Sequence, residues 1–457
     1  VHFRKIAIQT GETAAMGSGA ERPTEEQLQK NIWKIIWFNG IFSVFSSIAQ
    51  LGLFDTYLFI MAGNSNTAVG WAESISGLSQ IVLAGPAGIL TDTCSRSKIL
   101  NWCVLLAIVA VGTSIAGVGL DNFPIIYASL FVFGAYSAIQ NTASFALYSD
   151  SIPQGSRAKW LSRVSIVNQI GYGAGPFLSL FLFAYFGNEW KLSVLHVVLI
   201  IGFIGMVPAN MFLVNLKDAQ HEDGGAEASG AYCNLRYARV VPWLICTLDV
   251  VSAVGAGMTV KFFPLFFKED YGLNPGQIQL LFAIYGLSFG FFTWLCEKAA
   301  GKIGRVQAGL LFALSGVMCL FLLAYLRWLP SVLFVFVIRG ALANAIYPID
   351  RSILMDFVPS SERGRWNAAE SISSMSWSGS AVIGGYLMDA YDYRQTFVIT
   401  AFIYLVSASL RIPLFFLVPR YELPASQQPL ISRLVSTEEV QTALLASTRS
   451  RSLQFEL

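Results

Sequence analysis

Charge is scarce in this chain. Asp, Glu, Lys and Arg make up 13% of its 457 residues, about half of what soluble domains carry, and only three residues are histidine. No run of Lys and Arg forms a patch for nucleic acid. No HExxH, GxSxG or phosphate-loop pattern occurs, which removes the usual signatures of intramembrane proteases, hydrolases and ATP-driven pumps. Cysteine is sparse as well. The six, Cys94, Cys103, Cys233, Cys246, Cys296 and Cys319, are expected as free thiols, because none falls in an outer loop of the topology derived below. No metal or cofactor site is expected.

What the chain has in excess is apolar surface, 54% hydrophobic residues with a mean hydropathy of +0.57. One water-soluble core cannot hide that much. Apolar runs of about 20 residues, long enough to cross roughly 30 Å of hydrocarbon, recur from end to end. The reading is an all-α membrane protein with twelve spans, at 36–61, 68–91, 98–120, 124–148, 160–186, 192–216, 240–267, 276–296, 306–327, 331–356, 368–390 and 396–418. The first thirty residues are polar, so the first span is expected to act as its own insertion signal.

Loops after odd-numbered spans hold only Lys191, Lys268, Arg327 and Arg394, whereas the opposite set holds thirteen Lys and Arg residues from Arg96 to Arg420. The positive-inside rule then puts both termini in the cytoplasm. A polar, Gly- and Ala-rich stretch separates spans 6 and 7 and reads as a linker. The expected division is a tail over 1–31, six helices over 32–216, a linker over 217–239, six helices over 240–420 and a second tail over 421–457.

An internal repeat supports two halves. "DSIPQGSRAKW" from Asp150 and "DFVPSSERGRW" from Asp356 share Asp, Pro, Arg, a base and Trp at an offset of 206 residues, and the same offset pairs Gly134 with Gly340 and Gly173 with Gly379. An offset of 209 pairs Gly77 with Gly286 and Arg96 with Arg305.

Ionisable groups inside spans are costly, which makes each a functional candidate. Asp55, late in span 1, and Lys261, late in span 7, are repeat-equivalent, so they either face each other as an outer gate pair or snorkel separately to the surface. Asp249 lies near mid-depth in span 7 and is read as a proton carrier or as a structural carboxyl capped by Thr247 or Ser252. Arg339 in span 10 is read as an anchor for an anionic substrate group or as a structural partner, Asp249 among the choices. Glu73 reads as an entrance-lining or interfacial residue, and His196 as interfacial or as a proton relay. Gln140, Asn141, Asn168 and Gln169 place amides at membrane depth, either beside Tyr136, Tyr172, Tyr347 and Trp377 in a cavity or as contacts between helices.

The stretch "GPAGILTDTCSRSKIL" from Gly85 to Leu100 resembles the loop 2–3 signature of the major facilitator superfamily, matching at Gly88, Leu90, Asp92 and Arg96 and departing at Thr93, Ser95 and Lys98. "PQGSRAK", "PSSERGRW" and "VGAGMTVKFFPLFF" resemble its loops 4–5 and 10–11 and its helix 7, while Gly171, Gly175 and Pro176 match part of its antiporter signature. The resemblance implies a fold of two six-helix bundles and a secondary transporter of a small organic solute, proton-coupled, working by alternating access as a monomer in a lipid bilayer. It also implies a cytoplasmic gating set of Gly88, Asp92, Arg96, Arg157, Arg305 and Arg363. A broad-substrate antiporter and a nontransporting sensor on the same fold are the alternatives.

Overall fold

The computed structural model describes residues 23–152, 157–218, 240–358 and 363–420. Within them every regular element is a helix. Polar caps open half of the crossings, because the first N–H groups of a helix lack internal partners. Thr24 and Gln27 form a capping box at the start of span 1, Asn274 and Gln277 do the same for span 8, and Ser65, Ser95, Asn122 and Asp392 cap spans 2, 3, 4 and 12. The capping box starts span 1 at Glu25, well before the expected first apolar residue.

Twelve crossings result. Span 1 comprises Glu25–Gln50 and Leu53–Met61; spans 2 to 6 are Asn66–Thr93, Arg96–Gly119, Phe123–Ser151, Arg157–Phe186 and Leu192–Met211. Span 7 comprises Val240–Thr259, a 3-10 turn at Val260–Phe262 and Phe263–Tyr271. Spans 8 and 9 are Pro275–Ile303 and Arg305–Tyr325, span 10 comprises Leu329–Ala345 and Tyr347–Phe357, span 11 is Arg363–Ala390, and span 12 runs from Tyr393 to Leu417. Eleven of these are long and apolar enough to cross a membrane. Span 11 is 28 residues long but rich in Ser and Gly, as suits a helix packed between spans 2 and 7 with little lipid to face.

The end at which the first described helix begins (Glu25) and the described residues finish (Arg420), hereafter the tail end, differs from the far end in how its core is divided. At the tail end, spans 1, 3 and 4 gather around Ile35, Leu100 and Leu147, while spans 7, 9 and 10 gather separately around Ile245, Phe312 and Ile353. At the far end one continuous core joins both halves, running from Tyr57 and Phe203 to Phe263, Phe336 and Phe397. Among the described residues the two bundles are closed on each other at the far end and apart at the tail end.

Close helix approach seals the far end. A Cβ added at Gly70 would lie 2.5 Å from the Ala381 carbonyl oxygen, one at Gly77 would collide with Ser378 Cβ, and one at Gly385 would collide with the Asn66 carbonyl oxygen. Small residues on both faces therefore let spans 2 and 11 touch backbone to backbone, as membrane helices do when no hydrophobic effect draws them together. The repeat-equivalent contact, Gly286 of span 8 against Gly173 of span 5, closes the other side of the divide.

Candidate functional site

Spans 1 and 7 are both broken, and at equivalent places. Gly52 breaks span 1 in the left-handed region at φ +76°, where a Cβ would collide with Pro264 of span 7, and span 7 is itself interrupted by the 3-10 turn just before that proline. Paired interruptions in corresponding helices of two halves mark the binding region in many transporters. Here they bring Asp55 and Lys261 to the divide between the bundles.

Of the two readings, the direct Asp55–Lys261 ion pair does not form in this state. Lys261 Nζ lies 2.8 Å from Glu73 Oε2 of span 2 and 4.4 Å from the centre of the Trp377 ring of span 11. Asp55 is 1% exposed, with the Glu73 carboxyl and Lys261 as its charged neighbours. The physical reason is rotational. Residue depth places both charges at one level, but the face that span 2 turns inward carries Glu73 closer to the amine. Glu73, read from sequence as entrance-lining or interfacial, is thus part of the cluster.

Farther out, Asp389 of span 11 ties the bundles together by capping span 2. Its carboxylate accepts from the Asn66 N–H at 2.9 Å, the Asn66 side-chain amide at 2.9 Å, the Thr67 N–H at 2.8 Å and the Ser65 hydroxyl at 3.2 Å. A carboxylate on a helix N-terminus gains both hydrogen bonds and the helix dipole. Tyr393 adds a 3.0 Å hydroxyl bond to Asn66, and Trp190 and Asn188 of the N-terminal half bond the backbone at Leu273 and Gly276 of the other half.

Below this seal a cavity of about 560 Å³ opens toward the tail end. Leu51, Val260 and Trp377 line its upper part, and Asp249, Tyr285, Arg339, Tyr347, Asp350, Arg351, Tyr404 and Arg411 line its walls. Arg411 and Asp350 form a two-pronged ion pair, both contacts 2.6 Å, with both side chains buried. The sequence reading does not single out this pair, although both residues stand inside the expected spans and carry the same signal as Asp249.

Arg339 is different. It is 3% exposed, its Nη2 donates to the Tyr404 hydroxyl at 3.2 Å, and its guanidinium lies over the Phe263 and Tyr404 rings at 5.3 and 5.5 Å. Among the described residues no carboxylate forms an ion pair with it. Asp249 lines the same cavity, while Thr247 and Ser252, the hydroxyls expected to cap it, are bonded instead to the Trp243 carbonyl and to Ser407.

The remaining candidates divide between those that line the cavity and those that do not. Trp377 and Tyr347 reach the cavity. Tyr136 is buried in the N-terminal bundle with its hydroxyl donating to Asn210 at 2.7 Å, Gln140 is buried in span 4, and Asn168 bonds Ser43. Gly171 and Gly175 let span 5 approach the backbone of span 1 at Gly40 and Val44. His196 stands at the far end, 2.8 Å from Asp121 and edge-on to Tyr57.

In the gating set, Arg96 pairs with Asp150, and its repeat partner Arg305 pairs with Asp356 at 2.6 Å. Each half therefore closes its own tail-end corner with one Arg–Asp bridge. Asp218 adds a tie that the sequence does not announce, accepting from the Ser97 N–H at 2.8 Å and from the Ser95 hydroxyl. Gly88 lies in span 2, and a Cβ there would meet open space. The side chains of Asp92, Arg157 and Arg363 lie outside the described residues, as do Cys233 and most of the linker. The five described cysteines are unpaired.

Two overlapping stretches, residues 36–369 and 245–451, match the family model described as Major Facilitator Superfamily. The chain belongs to the major facilitator superfamily. Its fold resembles the nucleoside transporter NupG at a TM-score of 0.62 and 14% identity, over 87% of this chain and 99% of that one. A bacterial homologue of the iron transporter ferroportin in the inward-facing state gives 0.65 at 12% identity, over 86% of this chain and 99% of that one. A bacterial homologue of the human lysosomal transporter Spinster, inward-facing and occupied, gives 0.61 at 15% identity, over 87% of this chain and 98% of that one. No curated protein matches by sequence. As a member of this superfamily the protein is an integral, multi-pass transporter of small molecules, which is not an enzymatic role.

Proposed function

We propose that the protein is a secondary transporter of a small organic anion, working by alternating access with its tails in the cytoplasm and coupled to protons. The observation that carries the substrate class is Arg339. A guanidinium taken out of water needs a counter-charge or strong acceptors, and this one faces a cavity with a tyrosine hydroxyl and aromatic faces as its contacts. A carboxylate or similar anion entering the cavity supplies the missing charge with two-pronged geometry. Tyr285, Tyr347, Tyr404 and Trp377 offer flat apolar contact for the rest of the solute. Orientation follows from the charge asymmetry of the loops, so the open tail end is the cytoplasmic side.

The full chain reconstituted in liposomes tests this with a panel of labelled monoanions, neutral solutes and cations of similar size, driven by a proton gradient. The expected result is uptake of anions alone, reduced at least about 10-fold by Arg339→Gln, the loss of one charge-assisted contact. Transport of neutral or cationic solutes that Arg339→Gln leaves unchanged would remove the anion assignment. No flux of any solute in a folded, inserted protein would favour a nontransporting sensor.

A further inference from the structure

The Asp55, Glu73 and Lys261 cluster contains one more carboxyl group than it has amines, in a place almost without water. Asp55 belongs to span 1 and Glu73 to span 2, both in the N-terminal bundle, whereas Lys261 belongs to span 7 of the other bundle. The Lys261–Glu73 pair, 15% and 13% exposed, therefore crosses the divide that alternating access must open. Asp55 is more deeply buried than either partner, with the Glu73 carboxyl beside it. A bare carboxylate so placed keeps neither water nor donors, while a protonated carboxyl needs far less solvation.

We propose that Asp55 and Glu73 form a two-carboxyl proton site whose occupancy is set by the docking of Lys261. With Lys261 docked, the pair holds one proton and the cluster is neutral. With Lys261 withdrawn, the same pair faces the far side and takes up a second proton, because the remaining carboxylate has lost the ammonium that kept it charged in a poorly hydrated place. When the bundles close again, the amine returns to Glu73 and displaces that proton. Its exit is the cytoplasmic cavity, since Trp377, which stacks on Lys261, also lines that cavity together with Leu51 and Val260. One proton thus crosses per cycle from the far side to the tail side.

The broken span 1 makes the exchange reversible. Asp55 sits in the first turn of Leu53–Met61, whose N-terminus carries partial positive charge and favours the ionised form whenever water reaches it. The other groups around the cluster are Tyr172 of span 5, near Lys261, and at the far rim Asp389, Lys268 with Glu269, and the Asp121–His196 pair. The proposal rests on the transport reading only for its direction. Its pH response is readable without any substrate.

The test uses the full chain in lipid nanodiscs, with nitroxide labels at Leu120→Cys and Trp328→Cys, two exposed residues at the far ends of opposite bundles. Their distance distribution is recorded against pH. The expected result is a far-open fraction that grows roughly 10-fold per pH unit on acidification, the response to one proton. Glu73→Gln and Lys261→Gln should each be far-open at every pH, while His196→Gln should keep the parental slope. Infrared spectra at neutral pH should show a protonated-carboxyl band that Asp55→Asn removes. Lys261→Arg, which keeps the positive charge, should leave the far end closed at neutral pH. A distribution that ignores pH in the parent, a slope that vanishes with His196→Gln, opening by sodium at constant pH, or an infrared band untouched by Asp55→Asn would each overturn the proposal. A chain that opens with pH but carries no anion supports this site and defeats the anion assignment instead.

Discussion

A buried charge that has lost its partner is costly, and the Arg411–Asp350 pair shows the consequence most cleanly. Both side chains are buried beside the cavity, and each supplies the other's closest counter-charge at 2.6 Å. Removing one leaves a charge without compensation, whereas removing both leaves a dry, fillable space. Arg411→Met alone is expected to lower stability by about 3–5 kcal/mol, read as loss of thermal unfolding temperature in detergent, and Asp350→Leu with Arg411→Met should regain most of it. A double variant as unstable as the single would mean that the pair holds the fold through contacts other than charge. Sequence makes the charges visible and leaves their pairing open. Asp55, Lys261, Asp249 and Arg339 stand out because an ion in an apolar run is rare. Which of them touch depends on helix rotation, and that is set by the glycine contacts of neighbouring spans, which is why Glu73 takes Lys261.

Elements carry the next layer, and here the internal repeat is the most informative sequence signal. The 209-residue offset that matches Gly77 with Gly286 marks the two contacts on which the bundles meet, and the 206-residue offset that matches Gly134 with Gly340 marks equivalent packing within each bundle, on Ser76 and Ser79 in one and on Tyr285 in the other. The breaks in spans 1 and 7 are not legible in the same way, because Gly52 and Pro264 each look tolerable within a long apolar run. Their meaning appears only when the two stand in contact. Since Gly77 of span 2 leaves no room for a side chain against Ser378 of span 11, a larger residue there should wedge the far end open. Gly77→Leu is expected to shift the equilibrium toward the far-open state roughly 5- to 150-fold, the effect of about 1–3 kcal/mol of overpacking. The measure is the alkylation rate of Ser74→Cys by an impermeant reagent at fixed pH, since Ser74 bonds the Ser378 carbonyl at 2.9 Å within the seal. An unchanged rate would mean that the helices already part at this point.

The molecule as a whole is asymmetric in a way that composition alone does not show. Its cores are separate at the tail end and fused at the far end, and the cross-bundle bonds of Asp389, Tyr393, Trp190 and Lys261 all lie in the far half. Twelve crossings and a loop-charge asymmetry are legible from apolar runs and from Lys and Arg positions. The state in which the bundles rest is not, since it depends on small differences between contacts at the two ends. Alternating access requires that these contacts break while equivalent tail-end contacts form. The most direct measurement records two distances in the same preparation, Leu120 to Trp328 across the far end and Trp102 to Trp243 across the tail end, each from exposed positions in opposite bundles. As acidification lengthens the far-end distance, the tail-end distance should shorten in the same fraction of molecules. If both lengthen together, or the far end opens while the tail end stays as wide as before, the bundles do not alternate and the protein is not the transporter described.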